Sequence, residues 1–246
     1  MLCQRNLKIR YKHSALGFLW SLLTPGLMIL IYALFARILR FSGTHPNFLL
    51  FLVSGIVVWQ FTVSCLNDGL NAVTGSANLV KKTRFPRIAL PVSLTLANAV
   101  NFVLTAIVLV LFLLFYRAFP GALVWLAPAF LGQMALCLGL VMLVSAGNVY
   151  FRDLQHIIGV ASMAWFFLSP IFYPVQLQMD LLPARYGWLC YLNPMTGLLG
   201  AYRSALLADP APPVAGLAIS LAVCLGVFVA GERTFAWAQG GFGDVL

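Results

Sequence analysis

Ala89-LPVSLTLANAVNFVLTAIVLVLFLLF-Tyr116 contains no charged residue and is stopped by Arg117-Ala-Phe-Pro-Gly121. A hydrocarbon core about 30 Å thick is crossed by roughly 20 apolar helical residues. This stretch exceeds that length, and the reading of the whole chain follows from it. Working outward, comparable apolar runs recur at about 20–38, 48–66, 122–149, 157–172 and 214–230. Pro25 falls near the start of the first of them, where a missing N–H costs little. The last is expected to end at Glu232-Arg233, followed by a short polar tail. The expected fold class is an all-α polytopic membrane protein of six transmembrane helices, forming a single domain over 1–246.

Composition agrees. Of 246 residues, 62% are hydrophobic and 9% charged, against roughly a quarter charged in a soluble domain. Lipid must therefore be the main solvent. The formal net charge is +9, from Lys+Arg 15 and Asp+Glu 6. These cations flank apolar runs instead of lining one face, which argues against nucleic acid and for the positive-inside rule. With the amino terminus inside, the cytoplasmic segments hold Arg5, Lys8, Arg10, Lys12, Lys81, Lys82, Arg84, Arg87, Arg152 and Arg233. The outer segments hold Arg37, Arg40, Arg117, Arg185 and Arg203. That bias of about two to one places both termini in the cytoplasm.

Several chemistries are disfavoured. The five cysteines are scattered singly, without metal or redox spacing. Asp68, Asp153, Asp180, Asp209, Glu232 and Asp244 sit at span ends or in loops, as do His13, His45 and His156. A proton-driven carrier would keep such a group near mid-membrane. The nearest approach to a phosphate-binding loop is Gly75-Ser-Ala-Asn-Leu-Val-Lys-Lys-Thr83, with Val80 where the second glycine is required. Energy for any work must come from another chain.

Two segments outside the spans carry pattern. Over residues 4–18, Arg5, Lys8 and Lys12 share one helical face while Leu7, Tyr11, Ala15 and Phe18 share the other. That pattern fits an interfacial amphipathic helix touching membrane lipids, the other reading being an ordinary juxtamembrane basic tail. Residues 67–87 mix the cations Lys81, Lys82, Arg84 and Arg87 with Leu79, Val80 and Phe85. Pro86 disfavours helix at the residue before it. This segment reads either as a solvated positive loop or as a short helix presenting apolar anchors to a partner. A third segment, Tyr186 to Tyr202, is apolar but interrupted by Asn193-Pro194, and reads as short re-entrant or interfacial helices on the outer side.

Three motif groups then resemble the permease subunits of type-2 ABC exporters, in the branch that moves O-antigen, capsule or teichoic-acid chains on lipid carriers. They are Arg5-Asn-Leu-Lys-Ile-Arg-Tyr-Lys12 with Leu16-Gly17, Trp20 and Pro25; Asn78-Leu-Val-Lys-Lys82 with Phe85-Pro86-Arg87 and Leu90-Pro91; and Tyr150-Phe-Arg-Asp-Leu154 with Ser169-Pro170, Tyr173-Pro174, Tyr191-Leu-Asn-Pro-Met195 and Tyr202-Arg203. The resemblance implies a homodimer in the bacterial inner membrane, working with two copies of a separate ATPase. ATP and Mg would be used by that subunit, and no cofactor would be held by this chain.

By the same resemblance, Arg5, Lys8, Tyr11 and Lys12 lie on the interface helix near the ATPase. Asn78, Leu79, Val80, Lys81, Lys82, Arg84, Phe85 and Arg87 form the ATPase-coupling turn, and 181–206 supplies gate helices at the periplasmic mouth. Only four residues precede Arg5, fewer than is usual for the family. A glycan channel calls for aromatic faces that stack on sugar rings. Tyr32, Phe35, Trp165, Phe166, Phe167, Phe172 and Tyr173 are the candidates. The expected function is export of a lipid-linked polysaccharide. The alternatives are export of a drug, haem or lipid by the same fold, and a membrane-embedded glycolipid enzyme.

Overall fold

The computed structural model describes Leu23, 26–28, 30, 31 and 34, and then residues 48–82, 85–117 and 121–245. The amphipathic segment 4–18, with Arg5, Lys8, Tyr11 and Lys12, lies outside the described residues. So do Tyr32, Phe35 and Arg84, together with most of the 20–38 run.

Four helical stretches among the described residues are long and apolar enough to cross a membrane: Phe48–Leu70, Ala89–Phe115, Leu123–Tyr150 and Val214–Gly241. The helices in chain order are α1 (Phe48–Leu70), α2 (Ala77–Lys82), α3 (Ala89–Phe115), α4 (Leu126–Tyr150), α5 (Leu154–Leu168), α6 (Val175–Asp180), α7 (Pro194–Leu207), α8 (Val214–Ala238) and α9 (Phe242–Val245). A nine-residue 3-10 helix, Ala184–Leu192, separates α6 from α7.

Helix α1 is central and touches α3, α4, α5 and α7. It is buried from Phe48 to Trp59 with little interruption, because protein surrounds it on nearly every side. Helix α3 differs: Leu96, Val100, Val103, Ile107, Val110 and Leu114 are exposed at spacings of three and four. That stripe suits a lipid-facing surface. Between apolar helices in lipid the attraction comes from close packing, so small residues mark the crossings. Helices α4 and α8 meet in this way. A Cβ built on Gly231 would lie 2.3 Å from the Gly139 carbonyl oxygen, and one on Gly139 would lie 2.5 Å from that of Val227.

Buried polar groups fix the register of the bundle. Gln133 Nε2 donates to the Val58 carbonyl at 2.8 Å and to Thr62 Oγ1 at 3.1 Å, while Tyr202 OH donates to Gln133 Oε1 at 2.8 Å. These bonds tie α4 to α1 and to α7. Asn148 Nδ2 donates to the Leu70 carbonyl at 2.8 Å, satisfying an acceptor at the end of α1 that lacks a partner within the helix.

Two boundaries differ from the sequence expectation. The fifth apolar run extends to 172, but α5 stops at Leu168. Ser169 precedes Pro170 and is extended (φ −94, ψ 143), the conformation a following proline favours. The last run continues as helix through Glu232 and Arg233 to Ala238. Both charged residues lie on the exposed side, while Phe235 and Ala238 are buried on the other, so the helix becomes amphipathic where it leaves the apolar layer.

Helix α5 starts beside Leu66 and Leu70 at the end of α1, and its last turn carries Trp165, whose ring meets Trp59 edge-on at 5.3 Å. Trp59 lies roughly 16 Å along α1 from its Phe48 end, at about 1.5 Å per residue. Helix α5 therefore ends about midway along α1. Helix α7 packs against α1 as well and is buried from Pro194 to Ala205 apart from Gly200, while the 3-10 segment lies against α6, α7 and α8. Backbone that breaks at membrane depth is tolerated only where protein encloses it.

Candidate functional site

The bundle has two unlike ends. One holds α2, Tyr150, Arg152, Arg233 and the end of α8. The other holds Phe48, Arg117, Gly121, Ala208 and the start of α8. At the first end α1 runs into turns at 71–73 and a 3-10 turn at Thr74–Ser76 before α2. Val80 is 5% exposed, and Leu79 and Phe85 are half-buried against a cluster of Val73, Leu90, Met142, Val149, Phe235 and Phe242. In the single chain these three anchors face inward and hold the turn, instead of standing free toward a partner. Lys81 is exposed. The side chains of Asn78 and Lys82 lie outside the described residues. Arg87 Nη1 donates to the Gln239 carbonyl, so this cation is committed to its own chain.

Between the two ends runs an aromatic face. Trp59 packs on Trp165 and, at 5.5 Å, on Phe166. Phe166 meets Phe172 edge-on at 4.9 Å, and Phe167 stacks on Phe172 at 6.3 Å. Tyr173 OH donates to the Phe167 carbonyl at 2.9 Å and accepts from Gln178 Nε2 at 2.8 Å. The structure thus brings together Trp165, Phe166, Phe167, Phe172 and Tyr173. Phe167 is 57% exposed, beside exposed Val160 and Met163, while the other four are half-buried and support it. Trp59, at the centre of the group, was not singled out from the sequence. Nothing distinguishes one tryptophan in an apolar run until its neighbours are known.

The break after α5 is held by one asparagine. Asn193 Oδ1 accepts from the Met195 backbone N–H at 3.1 Å, capping α7, and from Trp165 Nε1 at 2.9 Å. Asn193 Nδ2 donates to the Leu168 carbonyl at 3.2 Å and to Ser169 Oγ at 3.1 Å. Pro194 follows at the first helical position, where it suits helix initiation.

Arg203 counts among the outer cations in the sequence tally, and the structure buries it: it is 5% exposed. Its guanidinium donates to the carbonyls of Pro170 (2.7 Å), Ile171 (2.9 Å) and Phe51 (3.2 Å), and stands 3.3 Å from the Phe51 ring centroid. Gly55 makes room for it, since a Cβ there would fall 2.7 Å from Arg203 Nη2. One side chain thereby joins α7, the chain leaving α5 and the start of α1. A planar guanidinium spreads its donors over separate nitrogens and so reaches carbonyls on different segments, whereas an ammonium holds its three on one atom.

The sequence profile of ABC-2 type transporters matches residues 1–207. The chain belongs to the ABC-2 type transporter family. It is similar to the O-antigen export system permease protein RfbA of Myxococcus xanthus, 35% identical over 225 residues (89% of this chain, 85% of the relative). It is also similar to the protein of that name from Klebsiella pneumoniae, 31% identical over 210 residues (84% and 79%). The polysialic acid transport protein KpsM of Escherichia coli is more distant, at 21% identity over 217 residues (82% and 78%).

In this ABC-2 transporter the matched region ends at the last residue of α7. Helix α8 and the segment after it lie beyond the match. As a family member with four apolar helices of spanning length among the described residues, the chain is a multi-pass membrane permease. No group of His, Cys, Asp or Glu among the described residues could hold a metal ion.

Proposed function

We propose that the chain is the membrane-spanning permease of an ATP-driven exporter that moves a lipid-linked polysaccharide across the bacterial inner membrane. The observation that carries this reading is similarity over more than four-fifths of the chain to permeases named for O-antigen and polysialic acid transport. The reading includes a homodimer, two copies of a separate ATPase using ATP and Mg, six spans per subunit and both termini in the cytoplasm. The end bearing Lys81, Lys82, Arg84, Arg87, Arg152 and Arg233 would be the cytoplasmic one, by the positive-inside rule.

In that frame the turn from Asn78 to Arg87 receives force from the ATPase. Its inward anchors Leu79, Val80 and Phe85 pack into a cluster shared with α3, α4, α8 and α9, so a push on the exposed Lys81 side would reach the bundle through that cluster. The aromatic face built on Phe167 would line the glycan path, since a ring face accepts many sugars with little demand on sequence. Arg5, Lys8, Tyr11 and Lys12 would hold the interface helix, and Tyr32 and Phe35 would face the same path. The segment 181–206 would be the periplasmic gate, seated by Asn193 and Arg203.

Deletion of the gene in the source bacterium tests this. Surface polysaccharide should disappear while its lipid-linked form accumulates inside, and the parent chain supplied in trans should restore export. Normal surface glycan in the deletion strain would refute the cargo. Loss of drug tolerance without loss of glycan would point to the same fold with a different substrate.

A further inference from the structure

Nothing in the coupling reading requires the residues after α8, yet one of them is packed as firmly as the bundle core. Phe242 has no exposed surface. Its ring lies 6.2 Å from that of Tyr150, the last residue of α4, and meets Phe235 of α8 edge-on at 5.5 Å. It shares one buried cluster with Val73 and Val80 of the basic turn, and α9 contacts both α2 and α4. Two hydrogen bonds hold the chain as it leaves α8: Tyr150 OH donates to the Ala238 carbonyl at 2.9 Å, and Arg87 Nη1 donates to that of Gln239. Helix α2 has only six residues, too few to be stable without tertiary support. Much of that support at Val80 comes from α9.

We infer that residues 239–245 are a brace for the basic turn, and that Phe242 is a positioning residue through which α2 keeps the orientation needed to take force from the ATPase. The inference rests on the reading of α2 as the coupling helix. Among the described residues the turn has no extended contact with α8 of its own. Phe242 fills the space between Val80 and the α4–α8 pair, so a displacement of α2 reaches both long helices through one ring. Without that ring the turn is still tethered by Phe85 and Leu79, but it can move without moving the bundle.

The test uses the full permease co-expressed with its cognate ATPase, and reads three quantities: membrane accumulation, capture of the ATPase on tagged permease, and surface glycan. Phe242→Ala should accumulate and still capture the ATPase, while export falls at least about tenfold. Phe242→Leu, which refills the space, should recover most of the loss. That split, with capture kept and export lost, is not what a general folding defect produces. Parent-level export by Phe242→Ala would overturn the brace. If Phe242→Ala fails to accumulate, Tyr150→Phe decides instead. It keeps the ring against Phe242 and removes only the bond to Ala238, and should lower export roughly two- to fivefold, as expected for one net hydrogen bond; parent-level export would overturn the inference. The double variant Lys81→Glu/Lys82→Glu separates the premise from the inference. Lost capture there alongside unaffected Phe242→Ala refutes the brace alone, whereas retained capture and export refute the coupling reading and the brace with it.

Discussion

Replacing Arg203 by methionine removes the donors and the charge but keeps an unbranched apolar stem in the same space. Three carbonyls then lose their partner: those of Pro170, Ile171 and Phe51. Hydrogen bonds to a charged group are worth about 1.5–3 kcal/mol each. The two shorter ones therefore contribute roughly 3–6 kcal/mol, and a guanidinium on a desolvated ring face adds about 2 kcal/mol. Against this stands the cost of keeping a cation out of water, several kcal/mol after relaxation. The balance favours the arginine by about 2–4 kcal/mol. In a chain of this size each kcal/mol shifts Tm by roughly 2–4 °C, so Arg203→Met should melt about 5–15 °C lower, read as loss of the monodisperse peak after heating in detergent. Arg203→Lys should recover less than half of that, because an ammonium holds its three donors on one atom. Gly55→Ala should show a matching defect from the opposite side, since its Cβ would stand 2.7 Å from Nη2. If Arg203→Met is as stable as the parent or more so, desolvation outweighs the contacts and the clamp argument is wrong.

Gly231→Ala places a methyl 2.3 Å from a backbone oxygen that cannot swing away, so α4 and α8 must part, at a cost of about 1–3 kcal/mol. Gly226→Ala on the same helix meets nothing within 4 Å and should leave Tm unchanged. Asn193→Ala should cost about 1 kcal/mol for the cap alone, and more through its other bonds. Asn193→Asp, which keeps the acceptor for Met195 and Trp165, should melt between Ala and parent. Gln133→Leu orphans the Tyr202 hydroxyl, so Tyr202→Phe should partly rescue it; a double-mutant cycle should return a coupling of about 0.5–1.5 kcal/mol, and strict additivity would refute the bond.

That α3 is long and apolar enough to cross the membrane was legible from composition, but its outward stripe was not, because α1, of similar polarity, is largely enclosed by protein. The motif order around Asn78, Tyr150 and Asn193-Pro194 was legible too, and it led to the family. The site was less so. Phe167 and Trp165 stood out as aromatics, but which of them is exposed depends on Trp59, more than a hundred residues away in the chain. Val80 and Phe85 were visible as apolar residues in a basic turn, yet their inward direction is set by Phe242 at the far end of the sequence.

Sequence alone determined that lipid is this chain's solvent, that long apolar helices recur along it, and where its positive charge concentrates. Each of those is a local sum over neighbouring residues. Tertiary structure decided that α5 ends level with the middle of α1, that Gln133 and Arg203 find hydrogen-bond partners inside the bundle, and that the residues after α8 reach the basic turn. In each of these the partner is a carbonyl, a hydroxyl or a ring far away in the chain. Such pairings come into being only when helices cross at one depth and one rotation, and no stretch of sequence encodes that alone.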